Sequence, residues 1–199
     1  MLISKGFWLG KTPVTVAAYK RFTEDTGREM PEPPLFNPGW MKKAHPIVNV
    51  SWHDANVYCE WAGGRMPTEA EWEYATRGGK AGLKYPWGNE ITPDRANYGQ
   101  RHKGTTFVTK LPPQNAWGLH DMTGNVSEWV ADWDYSYRTL PVDSPARDPR
   151  GPEEGKFRLV PGGSWGHDEQ NLRAAQRGLV PLEFQDEVVG FRCAREVFP

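Results

Sequence analysis

Cysteine is scarce in this chain: Cys59 and Cys193 are the only two in 199 residues, 134 positions apart. That spacing excludes zinc sites built on CxxC pairs, which need ligands in close sequence. The two can form one long-range disulfide or stand as separate buried thiols, and spacing alone does not choose. A surplus of one charge is also lacking. Lys and Arg total 24 against 25 Asp and Glu, so no broad field draws the chain to nucleic acid or an anionic membrane. No apolar run approaches the roughly 18 residues of a membrane span, and the opening MLISKGFWLGKTP has neither the hydrophobic region nor the cleavage site of a signal peptide. P-loop, GxGxxG and GxSxG motifs are missing, as is any internal repeat.

What is abundant is glycine, proline and aromatic side chains. The 21 glycines and 18 prolines put much of the chain in turns and loops. The 10 tryptophans, 7 tyrosines and 8 phenylalanines argue against disorder, because each can bury about 150–250 Å² and anchor a loop-rich fold. One domain over residues 1–199 is the expected organisation.

Helical signals fill the first third. Thr15 is placed to cap a helix from Val16 to about Asp25, with Val16, Tyr19 and Phe22 on one face and Gly27 as the stop. Ile47 to Val50 reads as a short buried strand. In SWHDANVYCEWAGG, Ser51 and Asp54 form a capping box, Ala55, Tyr58 and Ala62 an apolar stripe, and Gly63 the end. Thr68 and Glu71 form another box after Pro67, and that helix stops at Gly78–Gly79. From Tyr85 to Pro161 short apolar runs are broken by Pro, Gly, Asn and Asp, and Ser136–Gly155 reads as an exposed excursion. Strands are expected at Phe157–Val160 and Val188–Glu196, with Val189, Phe191 and Cys193 on one face. The fold class is α+β, helices early and irregular strands late.

Six stretches carry a family resemblance: KTPVTVAAYKRF, HPIVNVSWHDANVYCEWAGGRMPTEAEWEYATRGG, YPWGN, NAWGLHDMTGNVSEWVADW, VPGGSW and GFRCARE. In this order they resemble the sulfatase-modifying-factor, or formylglycine-generating-enzyme-like, family over nearly the whole chain. The resemblance implies an elaborated C-type-lectin-like fold. It also implies a strand ahead of KTPVT, which is short or missing in this sequence.

The family's founding activity is oxidation of a sulfatase cysteine to formylglycine with copper and O₂, and it depends on two cysteines after the GGS motif. Copper(I) is a soft ion that favours thiolate ligands. Here no cysteine lies between Gly162 and Arg192, so neither that activity nor copper is expected. The resemblance places a structural disulfide at Cys59 and Cys193. It places a structural calcium ion at Asp121, Gly124, Val126 and Glu128, two carboxylates and two backbone carbonyls suited to a hard cation. A second calcium site would use Asn97 and the Tyr98 carbonyl, but the loop from Gly99 to Phe107 supplies no acidic residue.

Ser164 and Trp165 stand in the GGSW motif that lines the family's groove, and His167 and Asp168 follow. A glycine turn and a solvated histidine are the plainer readings. Arg177, with Arg173 and Arg192, reads as structural, though an Arg fork also suits an anionic ligand. Leu179, Val180, Leu182 and Phe184 form an apolar group suited to an interface or a core.

Two functions follow. One is a binding module, since family members display variable ligand-binding surfaces between GGSW and GFR; here that surface is 165–189, for an unidentified protein or small molecule. The other is a non-copper oxidoreductase or sulfur-transfer enzyme, or the partner of a catalytic subunit. The sulfur-transfer relatives draw iron ligands from a helical domain with an H-x3-H-x-E motif that this sequence lacks.

Overall fold

A computed structural model describes residues 2–135 and 146–197. Three α-helices follow a short N-terminal strand: α1 (Val16–Thr26), α2 (Trp52–Trp61) and α3 (Glu69–Arg77). Their boundaries follow local chemistry. Thr15 accepts from the Ala18 amide, and Gly27 closes α1 in the left-handed conformation. Both capping boxes form, Ser51 with Asp54 and Thr68 with Glu71. On α2 the buried residues are Ala55, Tyr58 and Cys59, whereas Ala62 is exposed.

Six strands pair in three two-stranded sheets among the described residues. β1 (Phe7–Leu9) runs antiparallel to β6 (Ala194–Glu196). β2 (Ser127–Trp129) runs parallel to β5 (Val189–Phe191). β3 (Phe157–Pro161) and β4 (Arg177–Pro181) are antiparallel, with Arg158 opposite Val180 and Val160 opposite Gly178. Strand β1 is the short strand ahead of KTPVT. The expected strand at Val188–Glu196 is two strands, broken where Arg192 and Cys193 leave the ladder. Ile47–Val50 is buried but not a strand: Asn49 has φ of 60°, outside the extended region. Of the expected excursion at Ser136–Gly155, residues 136–145 lie outside the described residues.

Tyr19, Phe22, Tyr58 and Phe191 pack their rings together, with Tyr19 stacked on Tyr58 at 5.6 Å. Ile47, Val50, Trp129 and Val189 extend this core. Trp72, Met122, Val130 and Leu159 form a second cluster. Cys59 on α2 and Cys193 after β5 are joined by a disulfide, which ties the helical third to the C-terminal strands.

Candidate functional site

The GGSW turn begins the candidate site. Gly162 and Gly163 have φ of 96° and 63°, and a Cβ at Gly163 would sit 2.6 Å from the Asn171 carbonyl. Only glycine tolerates both demands. The turn buries Ser164 completely. The Ser164 amide donates to His167 Nδ1 at 3.1 Å, and the Ser164 hydroxyl lies 2.9 Å from the same nitrogen. An Nδ1 that accepts marks a neutral ring with its proton on Nε2. Burial pushes the His167 pKa below its ordinary value, against the opposing pull of Asp168 and Asp186.

His167 lines a cavity of about 210 Å³ between β4 and the chain leading into β5. Ser127, Gln176, Leu179, Phe184 and Val188 also line it. Leu179 is 47% exposed, while Val180 and Phe184 are half-buried against the main core. The apolar group read from the sequence therefore serves both purposes, its inner side chains packing and its outer ones facing solvent.

The other candidates sit elsewhere. Trp165 donates its indole N–H to the Glu187 carbonyl at 3.0 Å and meets Phe36 edge-on. Asp168 caps the short 3₁₀ turn Glu169–Leu172, accepting from the Gln170 amide. Arg177 turns away: it pairs with Glu69 at 3.3 Å, donates to the Tyr135 carbonyl and lies over that ring. Its neighbours Gln176 and Gly178 line the cavity instead.

Glu128, on β2, is fully buried and holds Arg192 through two hydrogen bonds of 2.7 and 2.8 Å. Trp72 Nε1 donates to the same carboxylate. Asp121, at φ 53°, is also buried and receives Asn125 Nδ2 at 3.0 Å. Burial pushes its pKa up to about 7, with the Asn125 hydrogen bond acting against the rise. Val126 is in the core, and the Gly124 amide donates to the Gly162 carbonyl. Asn97 is buried with its amide on Gly104 and Asn125, and its Oδ1 has no partner. No group of three or more His, Cys, Asp or Glu side chains stands together among the described residues.

The sequence profile of the sulfatase-modifying factor enzyme 1-like domain matches residues 2–197. The chain belongs to that family. It is 43% identical to the formylglycine-generating enzyme of Thermomonospora curvata, over 76% of this chain and 56% of that protein. The same identity holds to the serine/threonine-protein kinase pkn1 of Chlamydia pneumoniae, over 82% of this chain but 26% of that protein. The chain thus spans about half of one relative and a quarter of the other. Among solved structures, Treponema denticola variable protein 1 superposes with a TM-score of 0.82 at 25% identity, covering 96% of this chain and 84% of that one. The C-type-lectin-like fold is therefore that of the family. No helix among the described residues is long and apolar enough to cross a membrane.

Gln176 and Val188 fall inside the expected surface 165–189 without being named as site residues, and Ser127, in the NAWGLHDMTGNVSEWVADW stretch, lies outside it; pairing of β2 with β5 and of β3 with β4 brings the three together.

Proposed function

We propose that this chain is a ligand-binding member of the family that does not generate formylglycine, with its binding surface in residues 165–189 around the cavity. The observation that carries this reading is the Cys59–Cys193 disulfide. It engages both cysteines of the chain, so no thiolate remains for copper(I). The groove offers Leu179, Phe184 and Val188 flanked by Gln176 and His167, with no sulfur among its lining residues. A small apolar pocket with a few polar groups on its rim suits capture of an apolar side chain from a peptide or protein. The likeness to a variable protein and to part of a kinase agrees with a recognition role, alone or within a longer chain.

A structural calcium ion belongs to the same proposal, and the residues fit it unevenly. Asp121 suits a cation: it is buried and receives one side-chain donor, and the carbonyls of Gly124 and Val126 would complete its share. Glu128 does not offer itself in the same way, because three N–H groups already occupy its oxygens.

Selection of peptides from a random library, followed by methyl-detected NMR mapping, tests the binding surface. Bound peptides should shift the methyls of Leu179, Val180 and Val188. Replacement of the exposed Leu179 in Leu179→Asp should abolish binding without changing the melting temperature. Peptides that shift other methyls and bind the variant equally well would refute the assignment.

A further inference from the structure

A second cavity, of about 530 Å³, lies beside β3 and is lined by Trp52, Asn56, Met66, Trp133, Arg150 and Arg158, among others. Arg158 is its unusual member. It is only 8% exposed, and its guanidinium carbon lies 3.9 Å from the Trp52 ring centre and 3.6 Å from that of Trp133. Two rings that close to one trigonal carbon must cover its two faces.

Both walls are fixed. Trp52 Nε1 donates to the Val130 carbonyl at 2.8 Å. Behind Trp133 stands Gly155, where an added Cβ would come within 2.8 Å of the Trp133 Cβ.

Stacking satisfies the cation's faces and leaves its N–H groups, which point outward in the plane. Nη1 donates to the Ala131 carbonyl. Nε is buried without a partner, and Nη2 makes no hydrogen bond among the described residues. Nε, although unpartnered, is closed off from the cavity, so Nη2 is the nitrogen with surface left open and its N–H the donor that remains for a ligand oxygen.

Nearby acids leave Nη2 open, and Glu153, which lines the same cavity, makes no ion pair with Arg158 among the described residues. Asp132 is engaged by the Glu69 and Gly151 amides at 2.7 and 2.6 Å, and Glu71 is held by Arg65 through two bonds of 2.7 Å. No ion pair to Arg158 occurs among the described residues. Burial pulls its pKa down to about 10, so the cation stands in a poorly hydrated place and persists at neutral pH.

We propose that Arg158 is the anchor of a second binding site, which takes a carboxylate through Nη2 in the plane held by Trp52 and Trp133. A planar carboxylate extends that plane, whereas a tetrahedral phosphate would press an oxygen toward each ring. The remaining walls, Met66 and the tryptophans, suit an apolar body behind the acid. This site is separate from the cavity at His167 and stands or falls independently of it.

The test is an NMR titration of the folded protein labelled with ¹⁵N-arginine, at constant ionic strength. The Arg158 Nε–Hε resonance is identified by its loss in Arg158→Lys and, should that variant not fold, by its displacement in Trp133→Phe. Sodium benzoate is compared with benzamide, and an acidic peptide with its Glu→Gln counterpart. The expected result is a saturable shift of the Arg158 Nε–Hε resonance with a carboxylate, transmitted from Nη2 through the shared guanidinium carbon, and none with the matching amide. Benzoate affinity, followed by tryptophan emission, should fall at least about tenfold in Arg158→Lys, which keeps the charge but not the planar, stacked donor. The stronger of the two carboxylates distinguishes a free acid from an acidic peptide as the source. Equal responses to acid and amide, or none from either acid up to about 50 mM, far above a 1 mM site, would overturn the proposal.

Discussion

Glu128 and Arg192 form a fully buried ion pair whose donors and acceptors are almost all satisfied within the protein. Besides its two bonds to Glu128, Arg192 donates to the Gly10 carbonyl at 2.9 Å and the His120 carbonyl at 2.8 Å. One side chain thus links β2, the segment after β5, the chain after β1 and the loop before Asp121. Such a pair need not add net stability, because desolvation opposes it, but removing one partner strands a buried charge. Arg192→Met should cost about 3–5 kcal/mol of unfolding free energy. Combining it with Glu128→Leu should recover part of that loss. Urea unfolding of the two variants checks both expectations.

The disulfide joins residues 134 apart, closing a loop through most of the chain. A cross-link of that span chiefly restricts the unfolded ensemble, and its loss should cost about 2–5 kcal/mol. The double variant Cys59→Ala/Cys193→Ala should therefore unfold at distinctly lower urea concentration. Wild type in reducing buffer should approach the variant.

His45 should shape the acid side of the stability profile. Its Nδ1 lies 3.0 Å from the Thr105 hydroxyl, and burial, then Lys42 and Lys110, pull its pKa from 6.5 down to about 4. The unfolded chain therefore takes up this proton first as pH falls. Stability from His45 is complete above about pH 6.5 and is lost progressively toward pH 4. His45→Gln should flatten that stretch, seen as the difference in unfolding free energy between variant and wild type across the range.

The legible parts of the fold were those written in adjacent residues. Ser51 with Asp54 and Thr68 with Glu71 announce helix starts, and Gly27 and Gly78 announce stops, because capping is local chemistry. Strands of three to five residues carry too few alternations to be read alone. β4 went unnoticed, β1 was expected only through the resemblance as a strand short or missing ahead of KTPVT, and Asn49 broke an expected strand by its backbone conformation. The site behaved likewise. GGSW marked the turn and His167 fell in the cavity, but Arg177 turned toward Glu69. Trp52, Trp133 and Arg158 meet only because β3 folds back beside α2. Their sequence positions give no hint of a stack.

Formylglycine formation is the most direct test of the central claim. The purified protein, loaded with copper(I) under air, is incubated with a cysteine-containing sulfatase-type peptide, and the product is read by mass spectrometry. With both cysteines joined in the disulfide, the peptide cysteine should remain unconverted. Catalytic conversion of that cysteine to formylglycine would contradict the account, because it would require a copper site that none of this chain's own thiols can supply.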